Sequence, residues 1–130
     1  MYKNEGYQLV GCAFEVYRHL GGGMAEEIYQ ESMEIELGLN SITYLSKPEL
    51  TCSYKKQFLK RKYFPDLVVY DGLIVELKAV SELTSEHVGQ IMNYMRISNS
   101  PVGYLLNFGK IDGLQWKRLI IDELLDEKDE

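Results

Sequence analysis

Histidine and cysteine are scarce: the 130 residues include only His19, His87, Cys12 and Cys52. No Cys/His pair has the close spacing of a zinc site. Cys12 and Cys52 read as free thiols in a reducing compartment rather than a disulfide. No apolar run approaches the roughly 18 residues that a membrane helix needs, so no membrane partner is expected. The N-terminal stretch lacks a signal-peptide pattern, and the expected location is cytoplasmic. Ser-His-Asp chemistry has no supporting motif. Gly21-Gly22-Gly23 precedes a helix but lacks the lysine and the preceding strand of a phosphate-binding loop, so it reads as a turn. With three prolines, no repeat and no low-complexity linker, the chain reads as one domain over 4–121. The remaining 122–130 reads as an acidic, frayed tail.

Charge is plentiful but unevenly placed. The formal net charge of -6 argues at first against a nucleic-acid partner. Yet 122–130 alone carries six acids and one base, which leaves the rest of the chain close to neutral. Between 47 and 62 gather six of the fourteen bases, Lys47, Lys55, Lys56, Lys60, Arg61 and Lys62, with Glu49 the only acid. Such a stretch is either a solvated hairpin surface or a patch that contacts phosphates.

Periodicity sets the coarse organisation. Leu9, Val10, Ala13, Phe14, Val16 and Tyr17 follow a helical period over 4–20, and a second helix over 25–37 presents Ala25, Ile28, Tyr29, Met33 and Glu36 on one face. The pattern then changes to strands over 46–54, 57–63, 66–70 and 73–79. A third helix over 85–97 begins with a polar cap at Thr84 or Ser85, and strands follow over 101–108 and 116–121. The fold class is α/β of the mixed α+β kind: a mixed β-sheet flanked by helices. The strand-helix-strand step from Glu76 to Leu105 predicts a parallel crossover.

Two charged residues sit where a strand should be most apolar. In Leu73-Ile74-Val75-Glu76-Leu77-Lys78, Glu76 and Lys78 are two apart and share a face. Buried charges need a partner or a metal; the bland alternative is an ion pair on a solvated face. Asp66 lies on the preceding arm. A two-residue turn at Asp71-Gly72 puts Asp66 and Glu76 on opposite faces. A three-residue loop, Tyr70-Asp71-Gly72 with Gly72 left-handed, pairs Val69 with Leu73 and sets Asp66 opposite Glu76. The second register also collects Leu67, Val69, Leu73, Val75 and Leu77 on one apolar side, so it is favoured. Two carboxylates and the Leu77 carbonyl are oxygen ligands suited to Mg²⁺ or Mn²⁺. Lys78 would hold the attacking water or neutralise developing charge, chemistry that suits phosphodiester hydrolysis.

Pro65-Asp66, nine residues, then Glu76-Leu77-Lys78 resembles the signature of the PD-(D/E)XK nuclease superfamily. Gly23-Met24-Ala25-Glu26-Glu27-Ile28-Tyr29, with Gln90 to Tyr94 and Leu106-Asn107-Phe108, resembles the GxxExxY protein family within it. The resemblance implies a restriction-endonuclease-like αβββαβ core, Asp66 and Glu76 as metal ligands, and Lys78 as helper of the nucleophile. It further implies Glu26 as a helix acid completing the metal shell, and Gln90 and Tyr94 as extra site residues, which i, i+4 spacing puts on one helix face. Tyr17 and Gly22 depart from the His and Pro usual there.

The reading is a Mg²⁺- or Mn²⁺-dependent nuclease acting on nucleic acid, DNA more than RNA. Its catalytic set is Asp66, Glu76, Lys78 and Gln90, and its metal ligands are Glu26, Asp66, Glu76 and the Leu77 carbonyl. Lys55, Lys56, Lys60, Arg61, Lys62 and Tyr94 contact substrate. The rival reading is a catalytically silent binding or adaptor protein on the same fold. A homodimer or a partner protein is compatible with either, with the strand around Trp116 as a contact surface.

Overall fold

The computed structural model describes residues 1–129, with side-chain surroundings through residue 125. Two helices come first, α1 (Lys3–Leu20) and α2 (Glu26–Leu39), followed by β1 (Tyr44–Ser46), β2 (Leu50–Tyr54), β3 (Gln57–Tyr63), β4 (Leu67–Val69) and β5 (Leu73–Lys78). Then come α3 (Ser85–Ile97), β6 (Val102–Asn107), β7 (Gln115–Ile120) and α4 (Asp122–Asp129). Five strands form one sheet in the order β1-β4-β5-β6-β7, and β2 with β3 forms a separate two-stranded sheet. The β5–β6 pair is parallel and its neighbours are antiparallel, so the sheet is mixed as the periodicity predicts.

Period-2 alternation divides the sheet between two cores. Leu67, Val69, Leu73, Val75 and Leu77 face the α1 and α2 side and pack with Leu9, Ala13, Tyr29 and Met33. Ile74 and Leu105 face α3 and pack with Ile91 and Met95. The face expected for the second helix is rotated: Tyr29, Gln30, Met33 and Leu37 are buried, while Ile28 is exposed. Tyr29 sets that rotation, because its ring stacks on Phe108 and its hydroxyl donates to the Gly21 carbonyl.

Two strand expectations need correction. The strand expected over 46–54 is two strands belonging to different sheets, because β1 pairs with β4 and β2 pairs with β3. The break falls at Lys47, with φ of 46°, and at Pro48, which has no N–H to give a ladder. The three-residue loop gives the favoured register, Val69 opposite Leu73. Its left-handed residues, however, are Tyr70 and Asp71 rather than Gly72. Gly72 lies close under the Tyr2 hydroxyl, which a β-carbon there would push aside. The stretch read as a frayed acidic tail is helical over Asp122–Asp129, anchored where Leu124 packs beside Ile121; Glu130 lies outside the described residues.

Candidate active site

β5 carries Ile74, Glu76 and Lys78 on its α3 side, between buried Val75 and Leu77. Asp66 stands one residue before β4, and since Leu67 faces Val75, continuing the ladder sets Asp66 opposite Glu76. The two arms grip each other's carboxylates. The Asp66 N–H donates to Glu76 Oε1 at 2.8 Å, and the Leu77 N–H donates to Asp66 Oδ2 at 2.8 Å. One further step along the ladder puts Pro65 opposite Leu77. Proline has no N–H, so the Leu77 carbonyl receives no ladder bond from that strand. Two carboxylates and a carbonyl free of a ladder partner therefore meet at the end of the β4–β5 pair.

Burial makes this pair electrostatically costly. Glu76 is 4% exposed. Its carboxyl is pushed up to about 8, by desolvation first and by the charge of Asp66 second. Asp66 is also raised, again by desolvation, against the pull of the Leu77 N–H, Lys78 and Lys47. Like charges this close resist double ionisation, so the pair keeps a proton near neutral pH when no cation is present. A divalent cation among these oxygens would relieve both the desolvation and the repulsion, so the donor set fits Mg²⁺ or Mn²⁺.

Lys78 points along α3. Its Nζ donates to Gln90 Oε1 at 3.0 Å, and Gln90 Nε2 donates to the Tyr94 hydroxyl at 3.4 Å. The Tyr94 hydroxyl is raised by burial and then by Glu76, which places the carboxylate's field on it. Lys78, Gln90 and Tyr94 thus form a polar chain beside the acids.

Glu26 sits in the first turn of α2 and is exposed. With Glu27, Gln30, Lys47, Asp66 and Leu77 it lines a small cleft of about 50 Å³. Glu26 therefore borders Asp66, but Glu76 does not line that cleft. Among the described residues no three His, Cys, Asp or Glu side chains converge as a metal cluster. The structure brings Asp66, Glu76 and Leu77 together and leaves Glu26 at the rim.

Sequence reasoning missed two supports of Asp66. Gln30 Nε2 donates to its carbonyl at 2.9 Å, and the Lys47 N–H donates to the same oxygen at 3.0 Å. Gln30 had one available signal, a polar residue at a position that the helix buries. Asn107, quoted in the resemblance but given no role, is fully buried; it accepts from the Val80 and Gly109 N–H groups and donates to the Val80 carbonyl, fixing the chain just after Lys78. Lys55, Lys56, Lys60, Arg61 and Lys62 lie on the exposed β2–β3 hairpin, and among the described residues none of them is ion-paired with Asp66 or Glu76. His87 is occupied in the α3 capping box with Thr84, and Tyr17 donates to the Lys110 carbonyl. Among the described residues no helix is long and apolar enough to cross a membrane.

A family model described as the PD-(D/E)XK nuclease superfamily matches residues 3–119. No curated protein matches the chain. A solved structure titled "Crystal structure of SSO0001" shares the fold with TM-score 0.60 at 17% identity, covering 79% of this chain and 55% of its own. The chain thus spans little more than half the length of that relative.

Proposed function

The chain belongs to the PD-(D/E)XK nuclease superfamily, and from that premise we propose that it is a Mg²⁺- or Mn²⁺-dependent hydrolase of phosphodiester bonds in DNA. One observation carries the reading: the buried Asp66–Glu76 pair, cross-held by backbone N–H groups at the end of the β4–β5 ladder. When bound there, a divalent cation supplies Lewis-acid polarisation and a more acidic water. Asp66 and Glu76 would hold it with the Leu77 carbonyl, with Glu26 at the rim of the adjoining cleft. Lys78 holds the nucleophilic water or the developing phosphate charge, and Gln90 aims the ammonium. Tyr94 braces Gln90 from the next turn. Gly23, Glu26 and Tyr29 support a place among the GxxExxY proteins, since the Tyr29 hydroxyl ties the Gly21 carbonyl and the Met24 N–H into the turn before α2.

Cleavage of supercoiled, linear and single-stranded DNA in Mn²⁺, with an RNA arm, tests the proposal. Wild type should cut, and Lys78→Ala should lose about 10²–10³-fold in rate, the usual effect of removing one charge-stabilising donor. Activity equal to the Lys78→Ala control would contradict it. Among the described residues no three acids converge, which favours a second reading, a non-catalytic adaptor on a nuclease fold. It predicts that Asp66→Ala and Glu76→Ala leave function intact and raise thermal stability by removing like-charge repulsion.

A further inference from the structure

The β2–β3 hairpin belongs to neither core. It forms its own two-stranded sheet, and every residue of β3 before Tyr63 is exposed. Both of its ends are tied to the candidate site. Lys47, just before it, donates its N–H to the Asp66 carbonyl, and Tyr63, at its close, lies edge-on to Tyr94 with ring centres 6.2 Å apart. Pairing of Thr51 with Lys62 and Ser53 with Phe58 puts Phe58 and Lys62 on the same side, with Lys60 between them in the bulged stretch. Phe58 is 80% exposed, far more than an aromatic ring would be if it served packing. Among the described residues none of Lys55, Lys56, Lys60, Arg61 or Lys62 is in an ion pair.

We infer that this arm is a binding platform for an unpaired DNA strand, with a base stacked on Phe58 and phosphates on Lys60 and Lys62, so that the enzyme takes single-stranded or splayed DNA in preference to closed duplex. A cation-rich surface with one acid complements a phosphate backbone. A two-stranded ribbon can also enter a duplex major groove, but groove readers offer polar groups to base edges. An exposed phenyl ring has none to offer. It can bind a base face, and base faces are open only where strands are unpaired. Phe58 lies eight residues before Asp66, about 26 Å of extended chain at most, so one bound strand can reach both the arm and the acid pair. The inference rests on the nuclease reading for why a strand is brought there.

Fluorescence anisotropy with the full chain in chelator reads binding without cleavage. The probes are a labelled single strand, the blunt duplex of the same sequence, and that duplex with an unpaired tail. The single strand and the tailed duplex should bind several-fold tighter than the blunt one. Phe58→Ala should weaken the single strand about ten-fold and the duplex hardly at all, and Phe58→Trp should restore binding. Lys62→Gln should weaken all three and reduce the salt slope by about one. Circular dichroism checks that the variants fold, as substitution of so exposed a side chain should allow. Tighter blunt-duplex binding, or single-strand affinity indifferent to Phe58→Ala, overturns the inference. So does light scattering in which Phe58→Ala dissolves a self-association without altering DNA binding. Cleavage in Mn²⁺ separates the two claims. No cutting, with Phe58-dependent single-strand binding intact, defeats the nuclease and supports the arm. Cutting of duplex with Phe58 silent keeps the nuclease and defeats the arm.

Discussion

Backbone N–H groups hold the Glu76 and Asp66 carboxylates, and among the described residues no ion pair neutralises them, an arrangement with a signed consequence for stability. The Glu76 carboxyl is raised in the folded state to about 8 from its ordinary 4.5. The folded protein therefore binds this proton more tightly than the unfolded chain. Its stabilising effect is complete below about pH 4.5 and is lost as pH rises through about 8. In chelator, the melting temperature of wild type should fall between about pH 5 and pH 9, while Glu76→Gln should show a flatter profile and the higher value at alkaline pH. Parallel curves would show that the pair does not titrate this way. Cys12 illustrates the same physics without a partner. Burial, with Glu36 nearby, pushes its thiol up to about 11. A thiol reagent near neutral pH should label half-buried Cys52 in the native protein and reach buried Cys12 only after denaturant is added. Rapid labelling of both in the native state would contradict that burial.

At the scale of elements, the register of β4 on β5 decides whether a site exists, and it was legible in the sequence. Alternation of Leu67, Val69, Leu73, Val75 and Leu77 tolerates only a pairing that also sets Asp66 against Glu76. The turn that delivers this register was read less well. A glycine is the usual left-handed residue, but here Tyr70 and Asp71 take that conformation, while Gly72 lies against the Tyr2 hydroxyl. That contact joins two distant parts of the sequence, and periodicity carries no trace of it. β1 was missed for a related reason: three residues that pair with β4 are too few to show alternation. Gln30 and Asn107 were passed over because their partners come largely from distant parts of the chain, the Asp66 carbonyl for one and Val80 and Gln115 for the other. Asn107 holds Val80 and Gly109 with both ends of its amide. Asn107→Leu should therefore destabilise by about 3 kcal/mol in urea unfolding, since it strands buried backbone groups. A loss near zero would mean that those groups find other partners. Thr84→Ala, which opens the α3 capping box, should cost about 1 kcal/mol in the same measurement.

Over the whole molecule, charge and concavity are segregated. The acids of 122–130 dominate the net charge. The basic arm stands apart on its own small sheet. A larger cavity, about 570 Å³ and lined by residues such as Tyr7, Phe14, Tyr104 and Trp116, opens between α1 and the β6–β7 edge, and neither Asp66 nor Glu76 lines it. Volume alone would direct attention there, but the paired carboxylates with raised protonation lie elsewhere, where Asp66 borders a cleft of only about 50 Å³ and Glu76 is buried behind it. The account turns on that ion. Titration calorimetry of the metal-free protein with Mn²⁺ near pH 7.5, run in two buffers of different ionisation enthalpy, measures both the binding and the proton that it displaces. The account predicts saturable binding accompanied by net proton release, with both heat and release abolished in Asp66→Asn and in Glu76→Gln. Binding that persists unchanged in those two variants, or no saturable heat from the wild-type protein, would contradict it.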